Sequence, residues 1–154
     1  MKKTIIMLCG LLLVSGIYGA GSQMNFGINF GIMTYDDFKF DPIFWTAGAE
    51  LDLQLSDFLM LSPEVTLVGY KFEFKQFILY PGVILNLTPG SLFIGGGLVK
   101  GFLIGEGDSV SSDVSLKLNA GLISKNTKLT VYLISDFDNL FKNMLIGASL
   151  GFRF

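Results

Sequence analysis

The sequence contains no histidine, a single cysteine at Cys9, one tryptophan and four prolines, and only 16% of its 154 residues are charged. Without histidine there is no side chain whose ordinary titration lies near neutrality. That removes the usual general base, the nucleophile systems built on it, and imidazole metal sites. One cysteine excludes an internal disulfide framework. Eleven basic residues against 13 acidic ones give a net charge of −2, so there is no basic footprint for nucleic acid. With hydrophobic residues at 51%, a disordered chain is excluded as well. The length suits one domain with a real core.

The one uninterrupted apolar run is N-terminal. Lys2 and Lys3 precede a greasy stretch from Thr4 to Ile17, which gives way to Gly19, Ala20 and Gly21. Charged, apolar, then small is the order of a secretory signal peptide, and the run is shorter than the roughly 20 residues a membrane-spanning helix needs. Residues 1–20 are therefore read as a leader and 21–154 as a single domain. Cys9 lies inside the run behind Leu8, so it is not a lipidation site. Removing the leader deletes that cysteine together with Lys2 and Lys3, and the net charge becomes −4.

Beyond the leader the pattern repeats every second residue. Met24, Phe26, Ile28, Phe30 and Ile32 share one face and Asn25, Gly27, Asn29 and Gly31 the other, which a strand sorts and a helix scatters. The same alternation marks Trp45–Leu55, Leu59–Leu67, Val114–Leu122, Leu129–Leu133 and Met144–Phe154. It is less clean over Phe77–Leu85, where Ile78, Tyr80 and Ile84 oppose the bulky row. Over 92–104 the glycines Gly95, Gly96, Gly97 and Gly101 leave the facing open. Eight strands result. Short turn sequences (Ser56-Asp57, Thr88–Ser91, Ser124–Thr127) take turns with longer, more acidic links, the layout of an up-and-down barrel.

Alternation alone fits a soluble lipocalin-like barrel too, so the charge on the bulky face decides. Across roughly three dozen bulky-face positions outside 92–104, about six charges are expected at the chain-wide 16%, and none occurs. The expected fold is all-β: a closed antiparallel up-and-down eight-stranded transmembrane β-barrel, apolar outside, with a narrow interior filled by side chains.

The inward rows carry Glu50, Asp52, Glu64, Lys117, Asp136 and Arg153, read as an interior charge network in which Lys117 spans the lumen to the Glu50 and Glu64 region. A structural plug and a carboxylate-lined pore are both open to such a network. With the connector centred on Phe72, Pro63 and Pro81 fall opposite each other on the lipid face, where a bulge or bend is expected. Trp45, Tyr35, Tyr70, Phe58, Phe152 and Phe154 fall near strand ends, as interfacial girdles do. The glycines of LFIGGG sit within a strand and are followed by no helix or Lys-Ser/Thr, so they are not a phosphate loop.

The segments LSPEVTLVGY (61–70), ILYPGVILNL (78–87), LFIGGG (92–97) and the terminal LGFRF resemble small outer-membrane β-barrel proteins of the OmpA/OmpX type. They are also similar to a family of such barrels common in Gram-negative bacteria of the Bacteroidetes type. The resemblance spans almost the whole chain after the leader. It implies residence in the bacterial outer membrane, outer-membrane lipid as the surroundings, no cofactor and a monomeric barrel. It also implies recognition by the barrel-insertion machinery through Leu150, Phe152 and Phe154. A glycine usual in that signal is Ser149 here, between Gly147 and Gly151. Barrel enzymes of this class rely on histidine, so the chain is read as non-catalytic, with a structural or envelope-maintenance role. The alternatives are a narrow pore for ions or small polar solutes, then a surface-binding barrel or a soluble one.

Overall fold

The computed structural model describes residues 23–35, 43–70, 76–105, 110–140 and 144–154. The expected leader and the central parts of the four longer connectors lie outside the described residues. Eight strands follow in order: β1 (Met24–Tyr35), β2 (Phe44–Ser56), β3 (Leu59–Tyr70), β4 (Gln76–Leu87), β5 (Leu92–Gly105), β6 (Val110–Ile123), β7 (Thr127–Asp136) and β8 (Leu145–Arg153). Each pairs antiparallel with its successor, and β8 returns to β1 in a register running from Gly27↔Arg153 to Tyr35↔Leu145. Beyond the ladder, Phe154 N donates to the Phe26 carbonyl at 2.8 Å and completes the seam. A sheet with no free edge satisfies its backbone internally, the condition for a strand protein to cross hydrocarbon.

The outer face is apolar. Phe26, Phe30, Ile94, Leu122 and Val131 are each about half exposed, whereas Asp52 and Lys128 are 1% and 2% exposed within the cylinder. The architecture is thus an inside-out, closed eight-stranded barrel of the transmembrane kind. At the turn joining β4 to β5, Gly90 adopts φ +72°, a left-handed conformation that admits glycine without steric penalty.

The facing of β5 is settled by burial. Phe93 and Val99 are buried while Leu92, Ile94 and Leu98 are exposed, so the inward row is Phe93, Gly95, Gly97, Val99 and Gly101. The glycines alternate between the two faces here, which is why the sequence pattern was ambiguous.

The two lipid-face prolines are not directly opposed. Pro63 pairs with Val83 and Pro81 with Val65, and the β3–β4 register runs unbroken from Leu59↔Leu87 to Gly69↔Phe77. The interruptions fall on the other sides. The β2–β3 ladder passes from Glu50↔Glu64 to Leu53↔Leu61, and the β4–β5 ladder from Leu79↔Phe102 to Gly82↔Val99, each without a change of register. Successive residues of a strand direct their N–H groups to opposite neighbours, so each missing donor is lost to its outer ladder and the shared one stays intact. The register shifts lie elsewhere, at Gln54/Ser56 and at Lys100/Phe102.

The aromatic residues divide between two positions. Trp45 lies against Gly69 on the outer wall, while Tyr35, Phe44 and Tyr70 end the inward rows and stack at the loop-side mouth of the lumen. Tyr35 and Tyr70 therefore cap the interior and do not belong to a lipid-facing girdle. The Tyr35–Phe44 ring centroids are 5.9 Å apart and edge-on, those of Phe44–Tyr70 5.8 Å and tilted.

Candidate functional site

Among the described residues, ionisable side chains converge in the interior, and the strands place them in opposed sets. Glu50 and Asp52 project from β2 and Glu64 from β3; Lys117 projects from β6, Lys128 from β7 and Arg153 from β8. Among these six, the acids stand on one wall and the bases on the other. Lys128 Nζ donates to Glu50 Oε2 at 2.9 Å and to Asp52 Oδ1 at 3.1 Å. Arg153 Nε donates to Asp52 Oδ2 at 3.1 Å, and its Nη1 to the Ser124 carbonyl at 2.9 Å. Ser62 Oγ donates to Asp52 Oδ1 at 2.7 Å and accepts from Asn86 Nδ2 at 3.0 Å.

Lys117 Nζ donates to Glu64 Oε1 across the lumen and stands 4.6 Å from the centroid of the Tyr132 ring. Glu50 and Glu64 are direct partners in the β2–β3 ladder, an arrangement that repels unless compensated. Here each has its own cation from the far wall. Removing one partner would strand a charge in a site nearly closed to water, a loss of about 3–5 kcal/mol.

The inward glycines make room for these groups. A Cβ on Gly27 would lie 2.9 Å from the Glu50 Cγ, and one on Gly147 would enter the Tyr132 ring. Each is the ladder partner of the residue it accommodates. In a cylinder this narrow, these two large side chains each lie where the neighbouring strand supplies a glycine.

Above the charges, toward the loop side, the lumen turns apolar. Met33, Val68, Ile84, Val99, Tyr132 and Ile134 pack as a buried cluster, with Phe44, Ile78, Tyr80 and Leu145 against it. Two spaces between the described lumen side chains are small. One of about 10 Å³ lies between this cluster and the Lys117–Glu64 pair, and one of about 20 Å³ lies beside Asn119, Thr46 and Thr130. Space of that size holds about one water. A basin of about 500 Å³ opens at the turn side, lined by Gln54, Asp57, Lys125 and Arg153 among others, and ends at the ion pairs.

Of the residues singled out in the sequence, Glu50, Asp52, Glu64, Lys117 and Arg153 meet inside. Asp136 does not. It ends β7 at the loop side, is exposed, and accepts a hydrogen bond from Ser115 Oγ at 2.6 Å. Its parity is inward, but β7 leaves the barrel there, so its carboxylate reaches water. Lys128 was missed, although it shares parity with Thr130 and Tyr132 and extending that row by one position would have found it. The apolar plug has only a faint sequence signal, the opposition of Ile78, Tyr80 and Ile84 to the bulky row of that strand. Leu150, Phe152 and Phe154 all face outward at the end of the chain, Phe154 being 74% exposed.

No family model matches the chain, and no curated protein matches it. Solved structures do. The N-terminal β-barrel domain of Pseudomonas aeruginosa OprF is 19% identical, with a TM-score of 0.52, over 86% of this chain and 99% of that one. The outer membrane enzyme PagL is 16% identical, with a TM-score of 0.52, over 82% and 97%. A de novo designed barrel, TMB2.3, is 18% identical, with a TM-score of 0.53, over 86% and 94%. The chain therefore shares its fold with small natural outer-membrane barrels and with a designed protein, and at these identities the likeness is one of fold.

Proposed function

We propose that this chain is an integral outer-membrane protein of a Gram-negative bacterium, acting as a non-conducting structural element of the envelope. On this reading residues 1–20 direct export, and Leu150, Phe152 and Phe154 present the C-terminal strand to the insertion machinery. The folded barrel then sits as a monomer in lipid.

The observation that carries the reading is the filled lumen: three carboxylates matched to three cations, sealed on the loop side by an apolar cluster. An ion entering from the turn-side basin would have to displace a buried salt bridge and then cross apolar packing. The fold accommodates catalysis, since PagL is an outer membrane enzyme. The case for a non-catalytic role rests on this chain's own side chains, which include no histidine and hold their buried acids in ion pairs.

The test is single-channel recording of the purified full chain in planar bilayers. No unitary steps are expected, and reproducible ion-selective steps would replace this reading with that of a narrow pore.

A further inference from the structure

Every lumen cation has a carboxylate, but one lysine of the wall stands outside that arrangement. Val99 is buried in the lumen, and a Cβ on Gly101 would face the Tyr80 ring, so Lys100 between them points outward. Its ladder partner on β6 is Val114, 42% exposed on the same outer face. Lys100 Nζ lies 5.7 Å from the centroid of the Phe102 ring, two residues nearer the loop end. The side chain thus runs along the wall toward the loop-side rim. Asp113, next to Val114, is exposed but makes no ion pair with Lys100, and no other carboxylate among the described residues does so.

Depth follows from strand geometry. A strand tilted by about 40° climbs roughly 2.5 Å per residue, so Lys100 stands about 20 Å above Leu92 in an apolar band about 25 Å tall. An extended lysine covers the remaining distance, keeping its stem in hydrocarbon and its head at the polar boundary. In a bilayer the lipid phosphates lie at that boundary, and such an anion suits a compact ammonium.

We propose that Lys100 is a lipid-phosphate site: its ammonium holds the headgroup phosphate of a lipid in the loop-side leaflet, while Leu98 and Phe102 lie against the acyl chains. This rests on the membrane reading above.

The experiment reconstitutes the full chain in phosphatidylcholine vesicles and compares spin-labelled phosphatidic acid with spin-labelled phosphatidylcholine at the protein surface. Preference for the phosphate monoester is expected to be about fivefold, the magnitude of one cation at a charged surface. It should fall to near unity in Lys100→Gln, and persist in Lys100→Arg and in Lys125→Gln at the turn side. Heat-modifiable migration of each variant establishes that it is folded. Unchanged preference in folded Lys100→Gln overturns the proposal, as does displacement of the labelled lipid by millimolar inorganic phosphate, which would assign the site to a soluble anion. A chain that fails to enter the vesicles at all sinks the membrane reading, and this site with it.

Discussion

Arg153 on the last strand reaches Asp52 on the second, 101 positions earlier in the chain, with Nε donating to the carboxylate at 3.1 Å. Asp52 also receives Lys128, so one carboxylate on β2 is held by cations of both β7 and β8. These contacts cross the region where the barrel closes, and the stability of the closed sheet should respond to them more than to any surface ion pair.

Lys128→Ala should be the most damaging single change in the lumen, because it strands Glu50 and takes from Asp52 one of its two cations, leaving Arg153 alone. A loss of about 3–5 kcal/mol is expected from denaturant unfolding of the folded chain in vesicles or detergent. Lys117→Ala should cost less, since it strands Glu64 alone, though a melting temperature in detergent equal to that of the wild type would argue against the Lys117–Glu64 pair.

Replacing both members of that pair should restore much of what either single change removes. Lys117→Met combined with Glu64→Leu leaves no unpaired charge, and in a closed site such swaps are often neutral or better. A double-mutant cycle on the same unfolding assay measures the coupling, and additivity of the two losses would contradict the geometry.

Phe30→Arg places a charge near the middle of the outer wall, on a residue that is 57% exposed there. A cost of about 2–4 kcal/mol is expected in a bilayer, where a lipid-facing cation at mid-depth is expensive. If the substitution is as well tolerated as a polar change on a soluble protein's surface, the outer face does not meet hydrocarbon.

Gly147→Val should prevent the Tyr132 ring from lying on the wall, and so should lower the yield of the heat-modifiable folded form sharply. Gly96→Ala is the control: its Cβ would meet a flexible Leu118 methyl at 3.0 Å, and folding should be close to normal.

Much of the fold could be read from period-two alternation, because the faces of Met24–Ile32 and Val114–Leu122 differ so strongly in bulk. The reading failed where bulk and facing part company. Ile84 and Val99 are large and point inward, and the Gly95–Gly97 run carries too little side chain to show a face at all. Glu50, Asp52, Glu64, Lys117 and Arg153 could be placed inside from parity. Which cation serves which acid depends on the height of each strand around the cylinder, and that is set by inter-strand register, a quantity absent from any single strand. Lys100 escaped for the same reason as the β5 glycines: without a facing for that strand, its charge had no side to belong to.

The separation of acids on β2 and β3 from bases on β6, β7 and β8 has a bearing on how the cylinder is completed. A sheet ending at β6 retains the Glu64 contact but offers Asp52 neither of its two cations. A sheet beginning at β4 holds the three lumen cations without any of the three carboxylates that pair with them. Neither half is electrically self-sufficient in a dry interior, so partial barrels carry a penalty that vanishes only when the final hairpin docks. Assembly of this wall should therefore be all-or-none, with chain shortening at the C-terminal end tolerated far less than changes to the length of the loops.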